Sequence, residues 1–350
     1  LRGKQFLYDE GTQVPLIVKL PQGKQAGTVR RDLVSHIDVA AASLELAGIK
    51  IPDYVQGRPL FAADHRPREA VFAARDRCDE TVDAIRAVRT GRYKYIRNFM
   101  SHAGHMQPNK YKDKKAIVQA MRNLHAAGRL NELQDRMFAD SRPPEELYDL
   151  QRDPFETTNL IGDRQLADVE KQMRRQLYDW MVETRDPGLI PEPIFEELGR
   201  LCGAKALVMQ QPTQQGIVPR LIAAIEAGER ADVPALREHL ADDHVAVRYW
   251  AALGLGRTRD SQTPALLKAA LQDDSPAVRL AAARAICQYK VERPALAVLG
   301  KCLDDENRVV GFYAARMIEQ IGEPAKDELL PAIRKAATGG FDSTERVAQR

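Results

Sequence analysis

Residues 234–256 read PALREHLADDHVAVRYWAALGLG, residues 264–286 read PALLKAALQDDSPAVRLAAARAI, and residues 294–318 read PALAVLGKCLDDENRVVGFYAARMI. The landmarks recur about every 31 residues. Pro234, Pro264 and Pro294 open the units; Asp242, Asp273 and Asp305 close a first apolar stretch; Val247, Val278 and Val310 open a second; Ala252, Ala283 and Ala315 sit inside it. Each unit predicts helix, short polar turn, helix. Proline is tolerated in a first helical turn because its missing N–H would be unpaired there anyway. The aspartate pair is expected to cap the following helix, and the small alanines let helices approach closely. One such pair cannot bury its apolar face alone, so the units must stack.

Outward from this array, residues 216–228 (GIVPRLIAAIEAG) predict a helix of a degenerate leading unit, and ELLPAIRKAA, after Pro324, begins another. STERVAQR then ends the chain without a polar capping helix, so the array reads as cut short. Pro191 and Pro193 mark a linker over residues 191–214, giving a front domain over 1–190 and a repeat domain over 215–340.

The front domain has a different texture. Residues 13–20 (QVPLIVKL) predict a buried strand, 32–48 a helix starting near Asp32 and capped by Gly48, and 69–75 a strand. Residues 85–98 predict a hairpin around Thr90-Gly91, and residues 112–136 and 165–184 predict helices. Strands mixed with helices make this part α/β, with a small antiparallel sheet, ahead of an all-α array.

Composition bounds the function. The chain has 350 residues, 44% hydrophobic and 29% charged, as in an ordinary globular protein. A net charge of +3 gives no reason to expect a nucleic-acid partner. The run Lys110 to Lys115 (KYKDKK) reads as a solvated face. Cys78, Cys202, Cys287 and Cys302 form no CxxC pair, which argues against a zinc site or a dense disulfide framework. No apolar run is long enough to predict a membrane span. The chain starts abruptly at Leu1 in ordered-looking sequence, which reads as a fragment.

Three stretches carry chemistry or a signature. Residues 2–21 (RGKQFLYDEGTQVPLIVKLP) place Lys4 in a loop before a glycine turn, where its ammonium could meet a sulfate or phosphate. Residues 85–96 (IRAVRTGRYKYI) form the hairpin, and residues 146–160 (ELYDLQRDPFETTNL) follow it. Together, and in this order, they resemble the sulfatase family of the alkaline-phosphatase-like superfamily, near N-sulfoglucosamine-sulfohydrolase-like bacterial sulfatases. The helix after VPLIV is similar too, and the resemblance covers about residues 1–195, ahead of HEAT-like repeats.

That resemblance implies hydrolysis of sulfate esters or sulfamates, on a sulfated small molecule or glycan, outside the cytoplasm (periplasmic or extracellular). It implies a formylglycine nucleophile, a calcium ion polarising the sulfate, and Lys4 as the residue touching the sulfate. The family's nucleophile motif, C/S-x-P/A-x-R, has one formal match, Ser275 to Arg279. It falls in a repeat turn where Arg279 simply repeats Arg248, so no catalytic nucleophile or metal ligand is expected in this chain. Arg75, Asp76, Arg77, Asp79 and Glu80 follow a strand and read either as a sugar-pocket lining or as a surface ion-pair cluster. His102 and His105 read as loop histidines, His36 as a structural helix residue, and Tyr93 and Tyr95 as one face of the hairpin. A protein partner on the repeat array stays open, as do a non-catalytic scaffold carrying a sulfatase remnant and a phosphate-ester enzyme of the same superfamily.

Overall fold

The computed structural model describes Gly3 and residues 5–337. These form two compact units. The first holds most residues up to Leu177; the second holds Tyr178 onward together with the short segments Asp79–Val82 and Pro108–Lys114.

The first unit is organised by a four-stranded antiparallel sheet, β1 (Ala70–Arg75), β2 (Ile85–Thr90), β3 (Tyr93–Asn98) and β4 (Glu145–Asp149), in sequence order. The hairpin expected around Thr90-Gly91 is present, and the Thr90 hydroxyl accepts the Tyr93 N–H at 3.0 Å. Strand alternation decides the chemistry of the faces. Val88, Tyr95 and Leu147 are cross-strand neighbours on one face and are fully buried. The other face carries Arg75, Ala73, Ile85, Ala87, Arg89, Lys94, Ile96, Asn98, Glu146 and Tyr148. Leu7 packs with Ile85, Ala87, Ile96 and Tyr148 there.

Helix α1 (Asp38–Leu46) starts later than the sequence suggests. Asp32 instead pairs with Arg30, while buried Asp38 accepts the N–H groups of Ser35 and Arg58, each at 2.8 Å, and pairs with Arg68. His36 is therefore exposed and outside the helix. Gly48 ends it, as expected, with φ +69°. The helix expected over 112–136 is broken: α2 (Ala116–Ala126) stops before Gly128, whose φ of +63° cannot continue a right-handed helix. Helix α3 (Ala167–Glu183) follows β4.

The expected strand over residues 13–20 is not formed. The segment is irregular, with Val14 71% and Ile17 91% exposed. Its composition suits a strand, but a strand also needs a ladder partner, and Pro15 contributes no N–H.

In the second unit, residues 191–214, expected as a linker, carry helix α4 (Glu192–Cys202) and two short 3-10 turns. This stretch and the turn just before it are tied to the array: Trp250 Nε1 donates to Leu189 O at 2.7 Å and Asn307 Nδ2 to Pro193 O at 3.0 Å. The array proper is α5 (Ile217–Glu229), α6 (Val233–Leu240), α7 (Val245–Leu255), α8 (Thr263–Ala270), α9 (Pro276–Tyr289), α10 (Arg293–Cys302), α11 (Arg308–Ile321) and α12 (Glu323–Ala336). Pro234, Pro264 and Pro294 lie in first turns. The aspartates do not cap the next helix. Asp242, Asp273 and Asp305 each accept the N–H two residues on, at 2.8–2.9 Å, which shapes the turn. His244 and Asn307 supply the actual caps of α7 and α11.

Repeats are cross-linked by Arg248 to Asp273 at 2.8 Å. Arg279 donates to the Asp273 and Asp274 carbonyls, as Arg248 does to those of Asp242 and Asp243. The nucleophile-like run ending at Arg279 is thus a piece of repeat architecture.

Candidate functional site

The N-terminal loop is built by local geometry and then pinned to the sheet. Phe6 N donates to Gly3 O at 2.7 Å and Gly11 N to Tyr8 O at 2.8 Å. A Cβ on Gly11 would collide with the carbonyls of Gly3 and Phe6, so the two ends of the loop meet only because position 11 has no side chain. Phe6 and Leu7 are buried. Phe6 joins Met106 and Val118, and Leu7 joins the sheet. Lys4, the residue the sequence singles out, lies outside the described residues.

Polar contacts fasten the same loop. Tyr8 donates its hydroxyl to Glu146 at 2.8 Å. Glu146 also accepts from Tyr148 at 2.5 Å and Asn98 at 2.6 Å. Burial, then the Glu146 charge, pushes both tyrosine hydroxyls far above their ordinary range, so they act as fixed donors. Next to them, Lys94 Nζ lies 2.5 Å from Asp9, 2.9 Å from Glu156 and 3.0 Å from the Leu7 carbonyl. Glu156 also accepts the Asp9 N–H at 2.5 Å, and Arg89 pairs with Asp9 at 3.2 Å. Burial raises Asp9, but hydrogen bonds from Arg89 and Lys94 outweigh it and hold the carboxyl below its ordinary value. At Glu156 burial wins over Lys94 and the carboxyl is raised.

The 146–160 signature has a structural logic. Asn159 accepts the N–H groups of Leu147 and Ile161 and donates to Glu145 O. Asp153 accepts from Thr157 and Thr158, and Asp149 pairs with Arg92 at 2.6 Å. The turn so fixed delivers Glu156 to the loop.

The structure divides the expected pocket residues. Arg75 is 7% exposed, packs on the Phe6 ring at 5.5 Å and pairs with Asp83 at 3.2 Å. Asp83 is shared with buried Arg142. Asp76 pairs with Arg86 at 2.9 Å. Arg77 and Asp79 are exposed, whereas Glu80 is fully buried and accepts the Lys110 N–H. Only Arg75 of the five shares a sheet face with the loop-binding residues. His105 is buried against the rings of Phe6 and Tyr8, and burial, then Arg142, pushes its imidazole down to about 4. Tyr93 and Tyr95 do share the opposite face.

Sequence reasoning missed Lys94, Asp9, Glu146 and Glu156 as partners. The available signal was the period-2 alternation of Lys94, Ile96 and Asn98, which turns a lysine inward on a buried strand. Among the described residues no group of three or more His, Cys, Asp or Glu is arranged to hold a metal.

Comparison with known proteins finds similarity to sulfatases in the front of the chain. Residues 2–142 match the family model of the N-sulphoglucosamine sulphohydrolase C-terminal region. The front of the chain is thus similar to the C-terminal region of sulfatases. Behind it, residues 263–343 match HEAT repeats, and residues 247–273 match a PBS lyase HEAT-like repeat. An "Ulvan-active sulfatase" of Formosa agariphila is 35% identical over 192 residues, covering 55% of this chain and 32% of that protein. A second "Ulvan-active sulfatase" of that organism is 26% identical, covering 71% and 46%. Human "N-sulphoglucosamine sulphohydrolase" is 28% identical, covering 56% and 42%. The chain thus spans about a third to about half of the length of these relatives.

Proposed function

We propose that this chain is the substrate-side, C-terminal part of a sulfatase that hydrolyses sulfate esters or sulfamates on sulfated glycans, with a repeat array that binds a protein partner. The observation that carries this reading is the sulfatase match over the same residues that build the pinned loop 3–12. In it Lys4 places a positive charge against the substrate sulfate, lowering the cost of charge build-up as the S–O or S–N bond breaks. Arg75, Asp76, Arg77, Asp79 and Glu80 belong to or support the adjoining sugar pocket. The nucleophile and calcium ligands come from sequence outside these 350 residues. The exposed VPLIV segment becomes a strand when it meets the sheet of that catalytic portion.

The test is turnover of an aryl sulfate by the 350-residue chain alone. No release of sulfate is expected. Turnover that Lys4→Ala abolishes would show that the chain carries its own nucleophile and would overturn this division of labour.

A further inference from the structure

Lys94 is among the largest fully buried side chains, at 1% exposure, yet it carries an ammonium. A lone charge is not kept at such a site without full compensation. Here compensation comes from two carboxylates and one carbonyl, and every one of these groups is attached to the loop or reaches it. Leu7 O and Asp9 belong to the loop; Glu156 spends one oxygen on Lys94 and the other on the Asp9 N–H. Three chain segments, far apart in sequence, therefore meet at one ammonium.

Glu156 has φ +54°, the left-handed region where glycine or asparagine is the ordinary choice. A glutamate stands there, and its carboxylate is what closes the cluster. Strain of this kind persists where the surroundings over-determine it, and it marks sites where position matters. Apolar packing of Leu7 would hold the loop near the sheet; it would not fix the register of the backbone at residues 7–9. The ion cluster does.

From this geometry we propose that Lys94 and Glu156, acting through Asp9, are positioning residues for the sulfate-binding loop, a role that rests on the reading of Lys4 given above. The Glu156 end of the 146–160 signature is thus joined directly to Asp9 of the loop, 147 residues away in sequence.

Two arms test it. In the 350-residue chain, Lys94→Met and Glu156→Gln should speed amide hydrogen exchange at residues 5–12 by on the order of a hundredfold, with β2 and β3 changing only a few-fold. Unchanged loop exchange, or loop and sheet rising in step, overturns the anchoring. In the complete enzyme, Lys94→Met should lower kcat/KM, and the Lys4→Ala/Lys94→Met double variant should be no worse than Lys4→Ala alone. Additive losses overturn the positioning role. If Lys4→Ala leaves turnover unchanged, the substrate reading falls, while hydrogen exchange still decides the anchoring by itself.

Discussion

Asp83 shows how strongly single residues are committed in the front unit. Its carboxylate is fully buried and faces two guanidiniums, Arg142 with two hydrogen bonds and Arg75 at 3.2 Å. Asp83→Asn leaves both cations without a counter-charge and is expected to cost on the order of 3–5 kcal/mol in a urea melt. A loss below about 1 kcal/mol, the size of an exposed pair, would contradict this burial. His105, in the same interior, gives a pH signature. Its folded imidazole titrates near 4 against an ordinary 6.5. As pH falls between those values the unfolded chain takes up a proton that the fold refuses, so stability is lost through that window. The loss by pH 5 is about 2 kcal/mol relative to pH 7. Comparing wild type with His105→Gln cancels the carboxylates, including raised Glu156 and lowered Asp9. The wild type should lose more stability between pH 7 and pH 5 than the variant; parallel curves would mean that the histidine is not buried neutral.

At the scale of elements, residues 13–20 and helix α7 make opposite predictions. Ile17 is 91% exposed, so Ile17→Lys should change the stability of this chain by less than about 0.5 kcal/mol. It should also lower light scattering at high concentration, because a strand-forming apolar segment without a ladder partner invites self-association. Gly254 of α7 meets Gly228 of α5, and a Cβ on it would lie 2.9 Å from the Gly228 Cα. Gly254→Ala should therefore cost about 1–3 kcal/mol by overpacking. These elements also show what the sequence could and could not convey. The repeat helices, the hairpin and the Gly48 cap were legible because local periodicity and backbone preference determine them. The VPLIV strand was misread because strand formation depends on a neighbour that sequence pattern does not reveal. The helix expected over 112–136 was read through Gly128, where an apolar period outweighed a glycine that stops the helix. Residues 191–214, expected as a linker from Pro191 and Pro193, carry α4, with Pro191 at its N-cap position and Pro193 in its first turn.

For the molecule as a whole, the sequence displayed the outer chemistry of the candidate site and hid its support. Lys4, Arg75 and the 146–160 signature could be named from motifs. The partnership of Lys94 with Asp9 and Glu156 could not, since a charge cluster made from residues 62 and 85 positions apart exists only once the sheet is folded. The front unit, similar over residues 2–142 to a sulfatase C-terminal region, holds its N-terminal loop from beneath, and the array that follows in sequence is stitched by Arg248 and Asp273. The most direct measurement of the central claim is release of inorganic sulfate from a sulfated polysaccharide by the complete protein, wild type against Lys4→Ala. The account predicts release by the wild type and a loss of about a hundredfold or more in the variant, the size expected for removing one charge-stabilising group. Equal release by the two proteins, or none from any sulfated glycan by a correctly folded wild type, would contradict it.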